Sequence, residues 1–150
     1  MEKKQKGLTL KGEIQINYEW SMGKAGSVFF TEIRDNKRIM GTKCRKCGRV
    51  LVPPRIFCEE CFVDDMEWVV LPSTGKLVTF GDSYLSAEGK KLKDPWMLGI
   101  VRIDGSDGGL IHHLGECRPE ELEIGMPMEI VFKEEREGNI MDIKYFRPVK

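Results

Sequence analysis

Four of the chain's five cysteines fall between Cys44 and Cys61, as two Cys-x-x-Cys pairs within CRKCGRVLVPPRIFCEEC. Two cysteines three residues apart on a tight turn aim both sulfurs at one point, and a second such turn alongside completes a tetrahedron of thiolates. Three readings compete: two disulfides, a redox-active dithiol, or a metal site held by Cys44, Cys47, Cys58 and Cys61. The spacing favours the metal site, with zinc ahead of iron. Gly48, directly after Cys47, can take positive φ and let the first turn close with its amides facing the sulfurs. Phe62 stands at the corresponding place after Cys61, so the two turns are expected to be unequal, the second closing less tightly. Four protein ligands leave no open position, so the metal would be structural and not a Lewis acid.

The loop between the pairs, Gly48 to Phe57, has 10 residues, against roughly 15 to 20 in the longer Cys-x-x-Cys zinc pattern. Shorter loops of this kind suit rubredoxin-like ribbons. Pro53 and Pro54 remove two backbone donors and exclude a continuous helix, which leaves a strand, a turn and a return. So small a ribbon buries too little apolar surface to fold unaided, while metal binding contributes on the order of 10 kcal/mol.

Redox context supports this. The amino terminus, MEKKQKG, has no apolar segment behind it and does not read as a secretory signal. No apolar run approaches the ~20 residues that span a bilayer. The expected address is the cytoplasm, where structural disulfides are disfavoured. The 24 basic and 24 acidic residues balance, with a sequence pI near 6.7, so no global field draws the chain to nucleic acid or an anionic membrane. Locally the charges separate: residues 34–55 hold eight Lys or Arg against one Asp, and residues 56–67 hold five acids and no base.

Ahead of the cysteines, residues 28–40 (VFFTEIRDNKRIM) place Phe29, Phe30, Ile33 and Met40 near one side of a helical period. Ser27 is the expected N-cap and Gly41 the stop. Upstream, IQINYEWSMGKAG carries Tyr18 and Trp20 with little helical or strand period and reads as an extended arm. After the cysteines, strands are expected at 66–71, 76–85, 96–103, 109–114, 128–133 and 140–146. In the fifth, Met128, Ile130 and Phe132 alternate with Glu129, Val131 and Lys133. In the last, Met141, Ile143 and Tyr145 alternate with Asp142 and Lys144, which gives each strand one buried face. RPEELEIG is expected to form one helical turn ending at Gly125. About five strands with a short helix between them suggest a small, partly closed OB barrel. The expected organisation is a mainly β protein: arm and helix over 1–41, zinc ribbon over 42–65 and a five-stranded OB-fold over 66–150.

Catalytic chemistry needs more than these residues offer. Cys117 is the one cysteine outside the cluster and reads as a small buried residue. His112 and His113 are adjacent on an expected strand, so their side chains point to opposite faces and cannot serve one site. No nucleophile, base and oxyanion hole come together, and no catalytic residue is assigned.

A helix, then Cys-x-x-Cys-Gly, PPR, Cys-x-x-Cys, and a β-barrel with EELEIGMPMEIVF and a closing YFRPV resembles the family of small acyl-CoA-associated proteins that pair a rubredoxin-like zinc ribbon with an OB-fold. GTKCRKCGRVLVPPRIFCEEC, GKLVTF and GMPMEIVF carry the likeness, which runs from about Tyr18 to Val149. The resemblance implies structural zinc on Cys44, Cys47, Cys58 and Cys61. It also implies a ribbon and barrel that dock onto a thiolase, a hydroxymethylglutaryl-CoA synthase or a thiolase-like aldolase and help shape its acyl-CoA site. The docking residues would be Tyr18, Trp20, Phe29 and Phe30. Within the family, the arm and helix are most similar to those of the small subunit of the thiolase that cleaves benzoylsuccinyl-CoA in anaerobic toluene breakdown. The expected function is that of a non-catalytic accessory subunit in a hetero-oligomer.

Arg45, Lys46, Arg49 and Arg55 could receive the phosphates of coenzyme A or form a solvated face beside the ribbon. Phe80, Tyr84, Trp96 and Tyr145 could stack bases or fill the barrel. Two other functions therefore stay in view, a single-stranded nucleic-acid binder and an electron carrier with iron in the thiolate site.

Overall fold

The computed structural model describes residues 8, 9, 12, 13 and 15–149. Its first regular element is α1, Gly23–Asn36, which begins before the expected residue 28 and ends short of 40. Gly23 and Gly26 are poor helix formers and hide the start from a propensity reading. Ser27 therefore lies inside the helix, and the Ser21 hydroxyl accepts from the Gly23 N–H at 3.1 Å instead. Lys37 ends α1 in the left-handed region at φ 50. There its N–H donates to the Ile33 carbonyl and that of Arg38 to the Glu32 carbonyl, which closes the last turn. Phe29 and Ile33, one turn apart, are buried in the core.

Met40 and Gly41 are not helical but belong to β1, Ile39–Cys44. A Cβ at Gly41 would lie 2.9 Å from the Leu51 carbonyl oxygen and 2.8 Å from Leu71 Cδ1, so the neighbouring chains require glycine there. β1 is flanked by β2, Val50–Leu51, and β3, Met66–Leu71, in an antiparallel sheet of order β2-β1-β3. The expected strand, turn and return between the cysteine pairs is realised only as β2. The return is irregular, and Thr42 of β1 holds it: the Thr42 hydroxyl donates to the Arg55 carbonyl at 2.8 Å and accepts from its N–H at 2.9 Å.

The second sheet contains β4 Thr74–Leu85, β5 Lys91–Ile103, β6 Gly109–His113, β7 Pro127–Phe132 and β8 Ile143–Pro148, in the order β6-β5-β4-β7-β8. A parallel bridge from Leu114 to Phe146 draws its ends together into a partly closed barrel. Leu77, Met97, Val101, Ile103, Leu110, Leu114, Met128, Ile143 and Phe146 fill the barrel, and Phe29, Ile33, Ile39 and Leu71 extend the same core under the first sheet. The loop after β5 joins the two sheets: the Asp107 N–H donates to the Val50 carbonyl at 2.8 Å, and the Val50 N–H donates to the Asp107 carboxylate at 2.9 Å. The expected turn before β7 is a 3-10 turn at Pro119–Glu121.

The last strand starts later than expected, because Ile140–Asp142 is a 3-10 turn. Met141 is 56% exposed and Asp142 2%, so the buried positions are Ile143 and Phe146 rather than Met141, Ile143 and Tyr145. The reason is electrostatic. The Asp142 carboxylate accepts from the N–H groups of Glu137, at 2.9 Å, Gly138, at 2.7 Å, and Asn139, at 3.2 Å, and so anchors the preceding loop from inside. Burial alone would push this carboxyl up, but those three donors and the nearby Arg136 together hold it below the ordinary carboxylate range.

A carboxyl lowered on folding stabilises the native state fully above its unfolded value of about 4, and that contribution is lost as pH falls through the folded value. Asp142→Asn sets an amide N–H against backbone donors and is expected to cost about 1.5–3 kcal/mol at pH 7. Urea unfolding at pH 7 and below pH 3 checks this, since the gap between variant and wild type narrows in acid. A gap that is constant with pH would contradict it.

Candidate metal centre and docking surface

The cysteine pairs sit on two knuckles that repeat one another bond for bond. In the first, the Cys44 N–H donates to the Arg49 carbonyl at 2.9 Å and the Gly48 N–H to the Cys44 carbonyl at 2.8 Å. In the second, the Cys58 N–H donates to the Val63 carbonyl at 2.8 Å and the Phe62 N–H to the Cys58 carbonyl at 2.9 Å. Gly48 has φ +79 and Phe62 φ +54. The expected inequality is thus corrected: Phe62 adopts the left-handed backbone that glycine takes in the first turn, and both knuckles close.

The four sulfurs lie within 4.8 Å of one another. A tetrahedral ion with metal–sulfur bonds of about 2.3 Å has sulfurs about 3.8 Å apart, and Cys47 Sγ and Cys58 Sγ are 3.8 Å apart. The donor set and its spacing fit a four-thiolate ion. Cys44 and Cys58 are buried, Cys61 half-buried and Cys47 exposed. The backbone N–H of Cys47, helped by that of Lys46, brings the Cys44 thiol down to about 7. Cys61 moves the other way, pushed up to about 12 first by the Cys47 sulfur beside it and then by burial. Thiolates so close repel one another, and a bound cation relieves that repulsion.

The separated charges of the sequence meet here. Arg45 faces Asp65 and Glu67, each at 3.7 Å; Arg49 faces Glu59 at 3.5 Å and Glu60 at 3.2 Å; Arg55 faces Glu59 at 3.4 Å. Of the four cations considered for coenzyme A phosphates, Lys46 alone has no such pair among the described residues. The arginines brace the knuckles from outside. As largely exposed pairs they contribute about 0–1 kcal/mol each.

Phe29 is 1% exposed, so its ring belongs to the core and does not face a partner. Phe30 packs edge-on to it, half-buried, with ring centroids 5.3 Å apart. Tyr18 and Trp20 are 70% and 68% exposed and stack on one another at 5.0 Å. Residues the sequence reading missed extend this surface. Met22, Pro54, Ile56 and Phe57 line a groove between the start of α1 and the second knuckle, and Phe62 is 80% exposed. The signal available was Phe62 itself, a bulky side chain where the sister turn has Gly48.

A non-glycine residue in the left-handed region costs roughly 1–2 kcal/mol. Phe62→Gly relieves that strain against a partly offsetting gain in unfolded-chain entropy. The expected result is a rise in the urea midpoint worth up to about 1 kcal/mol, while Phe62→Ala, still strained, shows none. A Gly variant clearly less stable than wild type would refute this account of the second knuckle.

The polar candidates are accounted for within the fold. The His112 Nε2 lies 3.2 Å from the Ile140 carbonyl and the His113 Nδ1 2.7 Å from the Met97 carbonyl, on opposite faces of β6. The Cys117 thiol is pushed up by burial and by Glu121, the opposite of activation. Tyr84 and Trp96 are exposed and Phe80 half-buried. Tyr145 donates its hydroxyl to Glu116 at 2.6 Å.

Residues 31–67 match the ChsH2 rubredoxin-like zinc ribbon domain, and residues 68–133 the ChsH2 C-terminal OB-fold domain. The chain belongs to this family. Relatives in it include a DUF35 domain-containing scaffold protein of Methanocaldococcus jannaschii, 25% identical over 79% of this chain and 86% of its own length. Another, of the same description, comes from Pyrococcus furiosus and is 29% identical over 85% of this chain and 97% of its own. The benzoylsuccinyl-CoA thiolase subunit BbsA of Thauera aromatica is 32% identical, over 43% of this chain and 44% of its own length. Among solved structures, a DUF35 family protein of unknown function from Sulfolobus solfataricus superposes with a TM-score of 0.67 at 27% identity, covering 85% of this chain and 87% of its own. A chain of the Ltp2-ChsH2(DUF35) aldolase shares the fold, with a TM-score of 0.60 at 22% identity, covering 81% and 93%. The architecture of this family is the one observed: an N-terminal helix, a zinc ribbon with four cysteines positioned for a metal, and an OB-fold. No helix among the described residues is long and apolar enough to cross a membrane.

Proposed function

We propose that this chain is a non-catalytic accessory subunit of a thiolase-type acyl-CoA acyltransferase. Structural zinc on Cys44, Cys47, Cys58 and Cys61 fixes the ribbon, and the arm and ribbon hold the catalytic subunit in working geometry beside its acyl-CoA site. The observation that carries this reading is the exposure of Ile16, Tyr18, Trp20, Met22, Ile56, Phe57 and Phe62, with Tyr18 stacked on Trp20, Met22 beside Ile56 and Phe57, and Phe57 against Phe62, the kind of apolar clustering that marks an interaction site. The likeness to a thiolase subunit supports the choice of partner, and acyl-CoA thiolysis in anaerobic aromatic breakdown is the favoured setting. A reducing cytoplasm suits a site of four free thiols. Lys46, free of the ion pairs that engage the three arginines, is the basic residue best placed for a coenzyme A phosphate.

Positioning a substrate to within an ångström changes rates by roughly a hundredfold, so a subunit with no chemistry of its own can be required for turnover. Co-expression with a thiolase-type acyl-CoA acyltransferase tests the reading. The expected result is a stable complex with thiolysis activity and a partner that alone is poorly active or insoluble. A fully active, well-behaved isolated partner would count against it.

A further inference from the structure

Arg102 differs from every other arginine of the chain. Of the nine, seven pair with carboxylates, and Arg136 donates to the carbonyls of Arg34, Lys133 and Glu134. Among the described residues, Arg102 has neither an ion pair nor a side-chain hydrogen bond.

The register of the second sheet makes this a cost. Arg102 on β5 lies directly opposite Lys76 on β4, and the row continues to Gly109 on β6 and Pro127 on β7. Residues directly opposed across antiparallel strands share a face, so two cations stand side by side with no acid in their row, an arrangement that destabilises a sheet. Lys76 also has no ion pair among the described residues. The acids two residues further along, Asp104 and Glu129, are engaged: Asp104 accepts from the Thr74 hydroxyl at 2.8 Å and Glu129 from Arg147 Nε at 2.7 Å.

The two cations border a cavity. A bulge in β4 between Leu77 and Thr79 takes Val78 out of the ladder, which re-aims its side chain. The Gly125 N–H donates to the Leu77 carbonyl at 2.7 Å and lays the loop before β7 against that bulge. Val78 and Ile124, both exposed, therefore stand with Lys76 and Arg102 around a space of about 440 Å³, within the size range of small-molecule pockets.

We infer that this cavity binds a small amphipathic monocarboxylate, its carboxylate held by Arg102 and Lys76 and its apolar part resting on Val78 and Ile124. A guanidinium presents two parallel donors that match a carboxylate, and Lys76 adds a point charge. Charge selects the ligand. Asp104 lines the same cavity, so two cations and one carboxylate leave a single positive charge, which one ligand carboxylate neutralises. A phosphate dianion would leave excess negative charge beside Asp104. A bound anion also relieves the repulsion between the two cations, so ligand binding stabilises the sheet. These residues lie on the barrel, outside the metal ribbon and the arm, and the inference stands without the docking function.

Calorimetric titration of the full, metal-loaded chain with octanoate at low salt tests it. Octanoate is expected to bind at one site and to raise the melting temperature. Octanol, which lacks the charge, acetate, which lacks the tail, and inorganic phosphate are each expected to bind at least tenfold more weakly. Arg102→Met and Lys76→Met, both at exposed positions, are expected to weaken octanoate binding tenfold or more. Without ligand, both variants melt no lower than wild type, since each removes one of two opposed cations. Lys90→Met, between β4 and β5, leaves binding unchanged. Octanoate binding that survives both cavity substitutions, or octanol bound as tightly as octanoate, overturns the inference. Phosphate bound more tightly than octanoate assigns the site to a phosphate ligand and overturns it too. Absence of octanoate binding by the unsubstituted chain also overturns it; loss of a protein complex in Arg102→Met would then assign the two cations to an acidic side chain of a partner.

Discussion

Cys58→Ser abolishes metal binding and unfolds the three-stranded sheet. Cys58 is fully buried, its N–H and carbonyl form both bonds of the second knuckle, and its sulfur meets that of Cys47 at 3.8 Å. A serine oxygen is a harder, poorer ligand for a zinc-type ion and leaves three thiolates converging on one point. Metal binding in small ribbons supplies on the order of 10 kcal/mol of folding energy, comparable to the entire stability of a typical domain. Elemental analysis is expected to fall from one zinc per chain to essentially none, and amide protection in β1 and β3 to collapse. Iron in place of zinc, with the colour of a ferric thiolate centre, would move the chain toward the electron-carrier reading. A Cys58→Ser protein that keeps its protection and melting point would show that the ion is dispensable.

Phe29→Ala is expected to cost about 3–5 kcal/mol, because a fully buried phenyl ring is lost and α1 cannot sink to refill the space. α1 packs on β1 and on the turn at Ile140–Asp142, and its C-terminus is tied by Arg136 Nε donating to the Arg34 carbonyl at 2.7 Å. That end is pinned while the middle is hollowed out. Phe30→Ala, at a half-buried ring, serves as the comparison and costs less. Equilibrium urea unfolding with a two-state fit measures both. A Phe29 loss below about 1 kcal/mol, or one no larger than that of Phe30, would mean that the helix is held by its surface and not by this ring.

The contrast with the sequence reading is instructive at Phe29. Adjacency in sequence puts Phe29 and Phe30 together as docking residues, but α1 turns them about 100° apart, so one enters the core and the other lies half-covered. The cysteine spacing, by contrast, is local and nearly independent of the rest of the fold, which is why the ribbon was legible. β7 was legible for the same reason: the alternation of Met128 and Ile130 needs only its own backbone period. The phase of the last strand depended on a long-range fact, the loop amides of residues 137–139 converging on the Asp142 carboxylate. A buried charge with dedicated donors breaks hydrophobic patterning. The start of α1 is obscured by Gly23, at φ +64, and Gly26, both poor helix formers. At Phe62 the constraint came from the fold of the knuckle, which demands positive φ whatever residue is present.

The central claim is that a metal-organised ribbon, continuous with the arm, is the platform that a larger enzyme grips. The most direct test is calorimetric titration of the thiolase-like partner with the metal-loaded chain, with the chain stripped by a chelator, and with the stripped chain reloaded with zinc. The account predicts tight binding that is lost on stripping and returns with zinc. Undiminished binding by the stripped chain would contradict it.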